Sequence, residues 1–138
     1  MRTLTFIFAF IFSSLGFAQD SKGQTITVTI DNVLNNKGQV VFALHDNASF
    51  MKSNGLQSGA SEIKDGKATV TFTNVAPGTY AIIALHDENS NQRMDFEPNG
   101  MPKEAFGLSN NPMSYGPPQF HDAKFEVTHE DLDLNIRF

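Results

Sequence analysis

The sequence contains no cysteine. A disulfide framework and a thiol nucleophile are therefore both excluded, and so is the lipid-modified cysteine of a bacterial lipoprotein anchor. No segment repeats its apolar residues at a helical period over three turns, which argues against helix-built classes. No apolar run spans a bilayer comfortably, and no basic stop-transfer cluster follows the longest one. Positive charge is scarce: ten Lys and Arg stand against fifteen Asp and Glu, a net charge of −5. That balance disfavours nucleic acid or anionic lipid as a partner and is compatible with cation binding.

What is present begins with an export signal. Arg2 precedes an apolar run at 6–12, a short polar break follows at Ser13 and Ser14, and the small residues Gly16 and Ala18 fit cleavage before Gln19. Residues 1–18 are thus expected to be a signal peptide and 19–138 a mature domain of 120 residues (138 − 18), large enough for one core. Its net charge would be 9 − 15, or −6. The expected location is periplasmic or secreted, with no membrane span after signal removal. Without disulfides such a domain rests on its core, helped by any bound metal.

The mature chain alternates in the manner of strands. Ile26, Val28 and Ile30 share one face of 24–31 with threonines on the other, a half-buried strand. After the turn Asn35-Asn-Lys-Gly38, residues 39–45 are apolar on both faces and read as a more central strand. Residues 46–61 read as a loop that folds Phe50, Met51 and Leu56 back onto the domain. A short strand is expected at 60–63, then a hairpin turn at Lys64-Asp-Gly-Lys67. Further strands follow at 67–73, 79–86, 123–127 and 132–138. The expected core is Val28, Phe42, Val70, Phe72, Ile83, Leu134 and Ile136. Together these predict an all-β domain: a single antiparallel β-sandwich of about seven strands.

An internal repeat runs through it. Thr27-Val-Thr-Ile-Asp-Asn-Val33 matches Thr69-Val-Thr-Phe-Thr-Asn-Val75, and Ala43-Leu-His-Asp46 matches Ala84-Leu-His-Asp87. The offsets are 42 and 41. Two copies are too few for a solenoid and indicate two similar β-hairpins.

Residues 88–122 form one long loop with no sustained period and five of the six prolines. Loops of this length in compact domains are usually functional or disordered, and Phe96, Met101, Phe106, Leu108, Tyr115 and Phe120 can anchor this one. It opens on an oxygen-rich stretch. Asp87, Asn89, Asn91 and Asp95 fall at loop positions one, three, five and nine, with the Arg93 carbonyl at seven. Calcium takes six to eight oxygens, and this spacing lets a tight loop wrap one ion. Gln92 stands where glycine would ease the turn, and Pro98 where a bidentate glutamate would close the cage. Glu97, Asp46, Glu104 or water are left to complete the shell. A self-bonded polar turn is the competing structure.

Three stretches taken together carry a family resemblance: His86-Asp-Glu-Asn-Ser-Asn-Gln-Arg-Met-Asp95, Gly100-Met-Pro-Lys-Glu-Ala-Phe-Gly-Leu-Ser-Asn110 and Pro117-Pro-Gln-Phe-His-Asp-Ala-Lys-Phe125. In this order, after a Pro-Gly-Thr-Tyr strand, they resemble a family of exported bacterial proteins known as a domain of unknown function. The resemblance implies a small extracytoplasmic β-sandwich of prealbumin-like or B-type-repeat appearance and no established activity. The family usually shows Asp-x-Asn-x-Asn-Gly in the acidic loop, where this chain has Gln92.

Other constellations compete for the same rim. If the repeated strands lie side by side, His45 and His86 would meet there and, with His121 and one of Met94, Met101 or Met113, could hold copper or zinc. An enzyme would pair Glu104 with Asp95 or Asp122 as acid and base, or use Ser109 with His86 or His121 as its base. Gly107, Asn110 and Asn111 read more simply as turn residues. An isopeptide bond from Lys37 or Lys67 to an asparagine has no supporting motif. The favoured expectation is an exported, non-enzymatic binding or structural module with a calcium-ordered loop and a protein or glycan ligand. The alternative is a small periplasmic enzyme or a copper or zinc carrier.

Overall fold

The threonine-alternating segments form the two strands that begin each half of the chain. A computed structural model describes residues 23–113 and 116–138; the expected signal peptide and Tyr115 lie outside them. The elements are β1 (Gln24–Ile30), β2 (Gln39–His45), β3 (Gln57–Ser61), β4 (Ala68–Val75), β5 (Gly78–Asp87), β6 (Phe106–Leu108), α1 (Phe120–Ala123), β7 (Phe125–Val127) and β8 (Leu132–Asn135). They make two sheets. One runs β4-β1-β8; the other runs β3-β2-β5-β6, with β7 paired to the start of β5. The fold is the all-β sandwich expected from the alternation. Its pairs are antiparallel except for β1 and β8, which run parallel.

The core lies between the sheets. Ile26, Val28 and Ile30 from β1 meet Val40, Phe42 and Leu44 from β2, with Phe72, Ile82 and Ile136 beside them. Val70 and Leu134 are half-buried against this cluster. One expected core residue is on the wrong face: Ile82 and Ala84 point inward, whereas Ile83 is half-buried on the outer face. There it joins a smaller cluster of Phe50, Ala81, Leu108 and Ala123. Of the three apolar residues expected to fold back from 46–61, Phe50 does so, while Met51 and Leu56 remain exposed. The short strand in this region lies earlier than expected, because Gln57–Ser61 pairs with β2.

The repeat explains the face of Ile83. In the three-stranded sheet Val28 sits opposite Val70, its own repeat equivalent, so a local two-fold axis passes through that pair. In the other sheet β2 and β5 also pair antiparallel, Phe42 opposite Ala84 and Ala43 opposite Ile83. An even offset of 42 keeps equivalent residues on one face. An odd offset of 41 exchanges the faces, because side chains alternate with period two. Leu44 and His86 are therefore core-facing, while Leu85 and His45 face out.

Turns and edges follow local chemistry. Asp65 and Gly66 both take positive φ (52° and 72°), and Lys64 and Lys67 exchange two backbone hydrogen bonds of 2.9 Å, the expected hairpin. Both sheet edges are closed by side chains. On one side Gln57 Nε2 donates to the Thr73 carbonyl (3.0 Å) and Ser61 Oγ accepts the Thr69 N–H (3.3 Å). On the other, the Asn111 amide donates to the Asn135 carbonyl (3.0 Å) and accepts the Arg137 N–H (2.9 Å), imitating a strand. Unpaired strand edges are thereby blunted. No helix among the described residues is long and apolar enough to cross a membrane.

Candidate functional site

β5 delivers the chain into the acidic loop. Asp87, its last residue, is fully buried and faces Gln39 across the sheet. Its carboxylate accepts the N–H groups of Asn91 (3.1 Å) and Gln92 (2.8 Å) and an amide hydrogen from Gln39 (3.2 Å). These bonds curl the loop back on itself directly after the strand. Asn89 and Asn91 then turn their amides onto Asp95: Asn89 Nδ2 donates at 2.7 Å, and Asn91 Nδ2 at 2.9 and 3.0 Å to the two oxygens. Asp87, Asn89, Asn91 and Asp95 are thus gathered as the spacing predicts. Arg93 enters the same turn through its N–H, which donates to Asn91 Oδ1 (3.1 Å).

Gln92 adopts φ +62°, the left-handed region at the position where the resembled family carries glycine. A β-carbon there crowds the following carbonyl, at about 1–2 kcal/mol. Gln92→Gly is expected to raise stability by about 0.5–1 kcal/mol, part of the relief being offset by the freer unfolded chain. A urea midpoint that moves down would show that the side chain, not the backbone, holds this turn.

Glu104 comes to the loop from the other side. It precedes β6, is 7% exposed, and its Oε1 accepts the Glu88 N–H (3.2 Å). Its Oε2 is buried without a hydrogen-bond partner. Burial pushes its carboxyl above the ordinary glutamate value; Asp95 and Asp87 add to the rise, against the N–H groups of Glu88 and Asp95. An unsatisfied buried carboxylate oxygen facing two further carboxylates is costly without a cation or a proton. Among the described residues no three His, Asp or Glu side chains already cage an ion by themselves. Any shell here needs the asparagine oxygens and the Arg93 carbonyl as well. Glu97 is exposed, and Asp46 lies at the far end of β2, where it accepts the Ser49 N–H (2.8 Å). Of the completing ligands considered, Glu104 is the one the fold brings in.

Residues 28–135 match the model of a family described as "Uncharacterized protein conserved in bacteria (DUF2141)". The chain belongs to this family. No curated protein sequence matches it. Two solved structures of a pilus-presented adhesin, Spy0125 (Cpa), are similar at 15% and 16% identity, with TM-scores of 0.28 and 0.27. They cover 83% and 82% of this chain, which spans 26% of theirs.

In this family member the two repeated histidines do not meet. β2 and β5 are side by side but antiparallel, so His45 and His86 lie at opposite ends of the sheet and on opposite faces. His86 stacks on Phe138 (6.2 Å, 14°) and bonds the Lys37 carbonyl through Nε2 (2.9 Å). His45 packs edge-on to Phe50 (5.8 Å, 81°) and pairs Nδ1 with Ser49 Oγ (3.2 Å). His121 is exposed on α1, and Met101 and Met113 are exposed too. The shared copper or zinc rim is therefore not formed.

Burial lowers the His45 pKa, against the opposing pull of Ser49 and Asp46. The unfolded chain then takes up a proton more readily than the folded one, so this contribution is intact above the ordinary value of 6.5 and is lost as the pH falls below it. Melting temperatures at pH 7.5 and 5.5 should differ more in the wild type than in His45→Asn. Equal differences would mean that His45 titrates alike in both states.

Ser109 is a structural pin. It is buried; its Oγ accepts the Ile82 N–H (2.9 Å) and donates to the Ala123 carbonyl, while its own N–H donates to the Ile82 carbonyl (3.0 Å). It ties β5, β6 and α1 together, and neither His86 nor His121 bonds to it. Ser109→Ala leaves a buried N–H and a carbonyl unpaired and is expected to cost about 1–3 kcal/mol in urea titration. No change would return Ser109 to the list of reactive groups. Asn110, at φ +66°, donates from Nδ2 to the Lys124 carbonyl, and Asp122 offers its backbone carbonyl to the same amide (3.5 Å). Both hold α1 in place. Asp122 is not among the carboxylates that act on Glu104. Among the described residues no hydrogen bond joins the amine of Lys37 or Lys67 to an asparagine.

Proposed function

We propose that the protein is an exported, non-enzymatic binding or structural module whose loop after β5 is ordered by calcium. The observation that carries this reading is the buried, unpartnered Oε2 of Glu104 beside Asp87 and Asp95. Asp87 and Asp95 have their charges met by N–H groups, so the unmet demand for a cation is concentrated at Glu104. With Asn89, Asn91 and the Arg93 carbonyl, the set offers the oxygen-only donors and the count that calcium takes. The prealbumin-like or B-type-repeat look implied by the motifs suits a module of this kind, and so does maturation before Gln19 into the periplasm or medium. Glu104, Asp87 and Asp95 line none of the three surface hollows of about 490, 350 and 200 Å³, which supports a structural ion over an acid–base pair.

Thermal melts in calcium, magnesium and chelator test the reading. Calcium at a hundredfold excess over its dissociation constant stabilises by about 2.7 kcal/mol if it binds the folded chain alone. Magnesium, with a smaller and stricter shell, should substitute poorly. Identical curves in all three would leave a self-bonded polar loop.

A further inference from the structure

The acidic loop also walls a trough that the calcium reading does not use. Two hollows lie on the outer face of the five-stranded sheet, of about 350 and 200 Å³. They share Ile83, Leu85 and Met94 and so form one continuous trough. The larger hollow has polar walls: Ser53, Asn54 and Ser58 on one side, Gln92 and Arg93 on the other. The smaller is lined by apolar side chains alone, among them Met51, Phe96, Phe106 and Pro118. Met51 and Phe96 are each 58% exposed, so among the described residues nothing fills this end. A third hollow, of about 490 Å³, adjoins Arg137 and Phe138 and is separate from these two by its lining, apart from Phe106 and Pro118.

Charge separates the two ends. On a chain of net charge −5, no Asp or Glu among the described residues lines either hollow. Among the described residues Arg93 is the one permanently charged side chain there. Its backbone N–H is used within the loop, but among the described residues no hydrogen bond or ion pair engages its guanidinium. His45 lines the same hollow, and burial favours its neutral form. A guanidinium facing serine and asparagine donors across one hollow suits a carboxylate, which accepts planar, paired hydrogen bonds. A methionine-rich slot suits a flexible alkyl chain, because thioether side chains repack around varied shapes. The combined volume falls within the range of small-ligand sites.

We propose that this trough binds an alkyl carboxylate, with the chain lying over Ile83 and Leu85 into the Met51–Phe96 slot and the head on Arg93. The proposal is independent of calcium, and titrations run both in calcium and in chelator keep the two ideas separable. The probes are decanoate, decan-1-ol and acetate, titrated calorimetrically into the full chain. Decanoate should bind saturably, one to one, in at least one of the two buffers; acetate should not. The alcohol should bind at least tenfold more weakly than decanoate. Arg93→Gln, an exposed change, should weaken decanoate at least tenfold and leave the alcohol unchanged. In carbon-labelled methionine spectra the methyls of Met51 and Met94 should shift with decanoate, and that of Met113 should not. The proposal is overturned if decanoate gives no saturable binding in either buffer, if Arg93→Gln binds it as tightly as the wild type, or if the Met51 and Met94 signals stay fixed.

Discussion

Phe42→Ala should cost about 3–5 kcal/mol in urea titration, seen as a lower midpoint at unchanged slope. Phe42 is fully buried at the centre of β2. Its two cross-strand neighbours in the sheet are Gly59 and Ala84, so its ring fills space that they leave open. A β-carbon on Gly59 would come within 2.6 Å of Val70 Cγ2, which shows how closely the two sheets approach at that edge. With small neighbours and a tight frame, little can move into the vacated volume, and the cavity term stays large. A domain of this size has about 5–15 kcal/mol of stability in total, so the variant sits near the limit of folding. Ile83→Ala on the outer face is the control and should cost clearly less, since Ile83 is only half-buried. A larger loss at Ile83 than at Phe42 would mean that the faces of the five-stranded sheet are reversed.

That contrast also marks where sequence alone stops being readable. Alternation in 24–31 and 132–138 is clean because one face meets the core and the other meets water. In 79–86 both faces carry aliphatic residues, since Ile82 and Ala84 serve the main core while Ala81 and Ile83 serve the smaller cluster under Phe50 and Leu108. Period two then identifies a strand but not its inward face. The repeat held the missing information in the parity of its offsets, 42 against 41, and the same parity separates His45 from His86. The parallel pairing of β1 with β8 had no local signal, because it joins residues about 106 apart in the chain, Ile26 with Leu132.

The site was legible in unequal parts. Asp87, Asn89, Asn91 and Asp95 are local, and their spacing announces the curl before any tertiary contact is known. Glu104 was one name among several, since its place depends on β6 pairing with β5 and on the Ala105 carbonyl accepting the His86 N–H (2.9 Å). Ser109 could be read as a nucleophile only because its partners, on β5 and α1, are 14 or more residues away, and Asn110, read as a turn residue, reaches carbonyls around α1 that are 12 and 14 residues away. A buried hydroxyl that pins three elements leaves no pattern in a single sequence.

Glu104→Gln should change stability with opposite sign in chelator and in calcium. In chelator the wild-type carboxylate is buried with one oxygen unpartnered, and Asp95 and Asp87 disfavour its ionised form. Replacing it with a neutral amide removes a desolvated charge and supplies an N–H donor toward carboxylates, so the variant should melt higher than the wild type. In calcium the order should reverse. The variant keeps one carbonyl oxygen but loses a full negative charge from the shell, and calcium affinity falls with ligand charge. Most of the stabilisation of about 2.7 kcal/mol expected for the wild type at a hundredfold excess should then disappear. Glu97→Gln, on an exposed side chain of the same loop, should leave both curves unchanged. The crossing of wild type and Glu104→Gln separates an ion at this carboxylate from general salt screening. Screening would stabilise the wild type without regard to the cation, and magnesium at equal ionic strength would reproduce it.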